Sequence, residues 1–187
     1  MSKKSRINFM SDDDFWALIK ESLENSNDAE EQLEFLQNKL SSLTEEELIG
    51  FHYQFEKVYF KSYTSELWGV AYVARGGCSD DSFDYFRCWL ISRGRDVYEN
   101  ALINPDKLIN EFDKIPDGYG PELEDMLSLI PDAFTNIGKD FYHEIDKYED
   151  DLSGYPKIEF NWEEDDEESM KKICPGVFKK YWDDPFD

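Results

Sequence analysis

The stretch from Leu67 to Gly94 constrains this chain more than any other, because it spells helix, stop, helix and stop in direct succession. Leu67-Trp-Gly-Val-Ala-Tyr-Val-Ala74 is the most apolar segment. Its helix and strand cues are mixed, but Gly69 and Ala71 permit close approach and the neighbouring segments are helical, so it reads as a buried helix. Arg75-Gly76-Gly77 ends it, since glycine accepts the left-handed backbone that closes a helix. Ser79 then caps a new helix, with Asp80 and Asp81 in the first turn, where the helix dipole favours negative charge. Phe83, Phe86 and Leu90 form the stripe expected to face a core. Asp80, Asp84 and Arg87 share another face. Trp89 and Arg93 stand one turn apart, a spacing suited to stacking of guanidinium on indole. Gly94 ends this helix.

Similar punctuation runs along the rest of the chain. Ser11 precedes Asp12, Asp13 and Asp14 and opens a helix with Phe15, Leu18, Ile19 and Leu23 at helical spacing. A second helix is expected from about Asp28, with Leu33, Leu36 and Leu40 on one stripe. Thr44 and Glu47 form a capping box, opening a third helix that turns Leu48, Phe51, Phe55, Val58 and Tyr59 inward. Short helices are expected over 95–102 and from Asn104-Pro105 to about Phe112. A loop follows at 116–121, then an amphipathic helix over 122–130 interrupted by Pro131, and another over 134–148. Residues 150–168 read as irregular and acidic. The fold class is therefore mainly α: a single-domain helical array over 11–148, preceded by a tail at 1–10. An acidic, partly irregular C-terminal segment at 149–187 is expected to dock back through its aromatics.

Charge is the second constraint. The chain carries 43 acidic and 20 basic residues, a net charge of -23. The first 93 residues hold 17 acids and 10 bases; the remaining 94 hold 26 acids and 10 bases. Such a field repels nucleic acid and anionic membranes and attracts cations and basic proteins. No run approaches the ~18 apolar residues of a membrane span. The Met-Ser-Lys-Lys-Ser-Arg start has no apolar stretch of the kind that marks a signal peptide. Three cysteines without framework spacing read as reduced thiols of a cytoplasmic protein.

No catalytic signature stands out. His52 and His143 lie in helical patterns, and no serine elbow, phosphate loop or metalloprotease helix occurs. Cys78, near a helix start, is the one thiol whose position favours activation. No metal or cofactor is expected: Cys78, Cys88 and Cys174 lack paired spacing, and the run 163–168 lacks the alternating ligands of a calcium loop. Trp68, Gly76, Gly77, Cys78, Asp80, Asp81, Arg87, Trp89 and Arg93 define either a small-molecule or nucleotide site or a structural cap-and-pair network. A second candidate lies where aromatics alternate with carboxylates: Glu159, Trp162, Glu163, Glu164, Asp165 and Asp166, then Tyr181, Trp182, Asp183 and Asp184. Aromatics anchor interfaces and carboxylates steer basic partners, the combination used by proteins that neutralise basic toxins. Carboxylates standing in for the phosphates of DNA are a further alternative.

The segments Asp14-Phe15-Trp16 with Ile19, Leu67-Trp68-Gly69-Val70-Ala71-Tyr72 and Gly76 through Gly94 resemble the bacterial family known as domain of unknown function 4240. The likeness covers about residues 11–130. It implies a bacterial, cytoplasmic, mainly helical domain and carries no activity with it.

Overall fold

The computed structural model describes residues 5, 9–148, 152, 154–164 and 166–186. They form α1 (Asp12–Glu24), α2 (Ala29–Leu40), α3 (Glu45–Lys61), α4 (Ser65–Arg75), α5 (Asp80–Ser92), α6 (Arg95–Ile103), α7 (Ile109–Phe112), α8 (Leu129–Asn136), α9 (Phe141–Ile145), α10 (Glu167–Ile173) and α11 (Pro175–Tyr181). Single 3-10 turns occupy Pro105–Leu108 and Glu124–Leu127, and no β-strand occurs among the described residues. The protein is mainly α.

The chain divides into two compact units, one of Met1–Phe60 with Glu124–Gly154 and one of Lys61–Leu123 with Tyr155–Asp187. In the first, α1 packs on α2, and α2 on α8. Ser11 caps α1 by accepting from the Asp14 amide at 3.1 Å, and Asp28 caps α2 through the Glu31 amide at 2.9 Å. The capping box closes in both directions: the Glu47 carboxylate accepts from the Thr44 amide at 2.8 Å, and the Thr44 hydroxyl accepts from the Glu47 amide at 3.3 Å. The bond from the Thr44 amide, with a second donated by the Thr44 hydroxyl at 2.7 Å, holds the Glu47 carboxyl below the usual glutamate range. Phe15 and Phe51, both buried, meet at 5.1 Å. Gly50 is the close-approach position, because a Cβ there would lie 2.7 Å from the backbone of Phe9 and Met10.

Residues 122–148 depart from the expected pair of long helices. Residues 122–128 form only a 3-10 turn before α8, and Pro131 sits inside the first turn of α8 rather than ending a helix. The first turn is where a missing amide costs nothing, since those N–H groups have no intrahelical acceptor. The helix expected over 134–148 is split by Gly138 at φ 73°. There the Gly138 amide reaches the Thr135 carbonyl and the Lys139 amide the Phe134 carbonyl, both at 2.9 Å, the paired bonds of a Schellman stop. Asp140 then caps α9 through the His143 amide at 2.7 Å.

In the second unit α4 is central, with α5, α10 and α11 against it. Phe83, Phe86 and Leu90 of α5 are wholly buried, as their spacing required. The C-terminal segment is part of this unit. Asp106 accepts from the Gly176 and Val177 amides at 2.8 and 2.9 Å, capping α11 from a residue seventy positions earlier. The expected boundary at 148/149 thus falls within the last stretch of the first unit, and residues from Tyr155 onward complete the second.

Candidate functional site

Arg87 is the centre of the motif that dominates the sequence. Ser79 caps α5 by accepting from the Ser82 amide at 3.2 Å. Two turns on, Arg87 is fully buried, with its guanidinium carbon 5.1 Å from the ring centres of Tyr63 and Phe83 and 5.4 Å from that of Tyr155. Asp84, one turn earlier, is ion-paired with it. Stacking against several rings is worth about 2 kcal/mol or more when the cation is desolvated, which offsets part of the cost of burying it. Trp68 extends the cluster: it stacks on Phe83 at 4.6 Å, and its indole N–H donates to the Cys78 carbonyl at 2.9 Å. That bond ties the Gly-Gly-Cys turn to α4.

The glycine turn is occupied by its own chain. Gly76 adopts φ 63°, and the amides of Gly76 and Gly77 both donate to the Tyr72 carbonyl. Pro185 lies over it, since a Cβ on Gly76 would meet Pro185 Cγ at 2.9 Å, and the Phe186 amide donates to the Ala74 carbonyl at 2.8 Å. Those two amides are therefore not open to an anion. Arg87, the expected cation, is committed to rings and Asp84.

The packing around Cys78 opposes activation. Burial pushes its thiol up to about 12, with Asp80 and Asp84 adding to the shift and Arg75 opposing it. Desolvation outweighs the helix N-terminus here. Burial likewise pushes Cys88 and Cys174 up to about 12, and all three cysteines are free. Trp89 is buried and stacks on Phe112 at 5.4 Å. Arg93 turns its guanidinium to the Ser92 hydroxyl, at 3.1 and 2.9 Å, and burial lowers its pKa. Of this group, Gly76, Asp80 and Asp81 are exposed.

The second candidate group is split between core and surface. Trp162 is buried, and its indole N–H donates to the Ser65 carbonyl at 2.7 Å. It fills the notch left by Gly69, where a Cβ would come within 3.0 Å of Trp162 Nε1. Asn161 fastens the same segment by accepting from the Ser65 hydroxyl at 2.7 Å. Tyr181 is also buried, stacked on Phe186 at 4.8 Å, with its hydroxyl 3.3 Å from Asp113. Trp162 and Tyr181 thus pack in the core of the second unit. Trp182 is half-buried, stacked on Phe178 at 4.7 Å. Glu159, Glu163, Glu164, Asp166, Asp183 and Asp184 are exposed, and Asp165 lies outside the described residues. Asp166 caps α10 through the Glu168 amide at 3.1 Å. The pattern did not single out Tyr155 and Phe160, which are 51% and 52% exposed. Tyr155 covers Arg87, and Phe160 packs edge-on to Trp68 at 5.4 Å.

The histidines are engaged in local structure. His52 pairs with Glu56 at 3.4 Å and meets the Phe141 ring at 4.9 Å, while His143 is exposed on α9. Among the described residues no group of histidine, cysteine and carboxylate side chains is placed to hold a metal, and no helix is long and apolar enough to cross a membrane.

Fold and site together define a helical, strongly acidic protein whose most distinctive motif builds its own interior around a caged arginine. The chain belongs to the family of proteins of unknown function DUF4240, whose model matches residues 10–136. The match stops short of the segment 155–186, although that segment completes the second unit. No curated protein and no solved structure matches the chain.

Proposed function

We propose that this chain is a non-enzymatic binding module for a basic protein, of the kind that neutralises a basic bacterial toxin in the cytoplasm. The observation that carries the reading is the exposed mixture of carboxylates and aromatics in the second unit. Asp80, Asp81, Glu159, Glu163, Glu164, Asp183 and Asp184 are exposed together with Tyr155 and Phe160, on a chain of net charge -23. Carboxylates raise the association rate of a basic partner, and exposed aromatics supply the contacts that hold it. The raised thiols and the commitment of Arg87 to Asp84 and aromatic rings favour this reading over a small-molecule enzyme centred on the same motif.

The test is protection. A basic toxin encoded beside this chain is expressed alone and together with it, and growth of the host is followed. Rescue by the intact chain is expected. Failure to rescue, with both proteins soluble at equal levels, overturns the reading.

A further inference from the structure

Tyr155 and Phe160 are both half-exposed, yet neither is loose. Tyr155 meets Tyr63 at 4.8 Å, Tyr63 meets Trp68 at 5.6 Å, and Trp68 meets Phe160 at 5.4 Å. Two exposed rings are thus held at the ends of a packed relay, which removes most of the entropy cost of ordering them on binding. The setting is negative. Asp80 and Asp84 both act on the Tyr63 hydroxyl, and burial together with Asp80 raises its pKa. Glu159 adjoins Phe160 in sequence, and Lys157 is the one cation in 155–164 against Glu159, Glu163 and Glu164. Asp80, Asp81 and Glu159 form no ion pair with a described residue. The same relay already holds one guanidinium, that of Arg87, against Tyr63, Phe83 and Tyr155 with Asp84 as its counter-ion.

Resting on the binding reading above, we infer that the Tyr155–Phe160 edge of the second unit receives arginine side chains of the basic partner, so that the protein selects arginine-rich over lysine-rich surfaces. Charge complementarity alone does not distinguish the two cations. Rings do, because the planar, weakly hydrated guanidinium stacks on an aromatic face where an ammonium remains hydrated. Asp80 and Glu159 supply carboxylates that the fold leaves for an incoming cation.

The test compares two peptides of equal charge, octa-arginine and octa-lysine, titrated into the full chain at fixed ionic strength. The intact protein is expected to bind octa-arginine about three- to tenfold more tightly, the stacking worth of two partly exposed rings. The double substitution Tyr155→Leu and Phe160→Leu keeps apolar bulk and is expected to equalise the two affinities, chiefly by weakening octa-arginine binding. Phe160→Leu alone, which leaves Tyr155 on Arg87, is expected to lose part of the preference, and supplies the same test if the double variant melts early. Equal binding of both peptides by the intact protein, or a full preference in the folded leucine variants, overturns this inference and leaves the acidic-module reading standing. Absence of binding to either peptide at low salt overturns the acidic-module reading itself.

Discussion

Replacing Arg87 by methionine isolates the interaction on which the second unit is built. Methionine keeps most of the stem and its apolar contacts but removes the guanidinium, three ring contacts at 5.1, 5.1 and 5.4 Å and the pair with Asp84. Two effects set the magnitude. Loss of stacking on a desolvated cation costs about 2 kcal/mol. Orphaning a fully buried carboxylate would add roughly 3–5 kcal/mol, but the Asp84 side chain is 32% exposed and regains much of its hydration. Removing the buried charge also recovers desolvation free energy. The expected net loss is about 2–3 kcal/mol. Arg87→Lys keeps the charge without the planar fork and should lose about 1–2 kcal/mol. Urea unfolding followed by tryptophan fluorescence reads this directly, because Trp68, Trp89, Trp162 and Trp182 all lie in the second unit and only Trp16 lies in the first. A midpoint shift at constant slope is the expected form. A methionine variant within about 0.5 kcal/mol of the parent would refute the caged arginine as a stabilising centre.

Three further outcomes are expected. Trp162→Phe keeps a ring in the Gly69 notch but loses the indole bond to the Ser65 carbonyl, and should cost about 0.5–1.5 kcal/mol in the same unfolding assay; a neutral substitution would show that the C-terminal segment is not fixed there. Glu47, lowered chiefly by the Thr44 amide, contributes stability that is present above its unfolded pKa and lost as pH falls through the folded one. Glu47→Gln should therefore lose a few tenths of a kcal/mol at neutral pH and match the parent once the pH has fallen below the lowered folded pKa, read from melts across pH. Cys78, with its thiol pushed up to about 12, should react with iodoacetamide at pH 8 more than about a hundredfold slower than a free thiol and accelerate only at high pH; a rate that plateaus near neutrality would reinstate an activated thiol.

The helix starts were legible because their signals are local. Ser11, Asp28, Thr44 and Ser79 each bond to the amide three residues on, a relation written within one turn. The stop at Gly76 and the buried stripe of α5 were legible for the same reason. Residues 122–148 misled because a helix-like apolar spacing does not reveal where the chain turns, and Pro131 is as compatible with a first turn as with a break. The site needed distant partners. The spacing of Asp84 and Arg87 announces a pair, but nothing near them announces Tyr63 and Tyr155. Likewise the alternation of aromatics and acids over 159–166 does not say which aromatic faces inward. Trp162 does so because Gly69, ninety-three positions earlier, leaves room for it. Cys78 has the position of an activated thiol, and only the packing around it shows that desolvation prevails.

The measurement closest to the central claim is calorimetric titration of the full chain with a basic protein captured on it from its host, over a range of salt. The account predicts a stoichiometric complex whose affinity falls steeply between about 50 and 500 mM salt, as the Debye length shortens from roughly 14 to 4 Å. No binding at the lowest salt, or an affinity indifferent to salt, would contradict it.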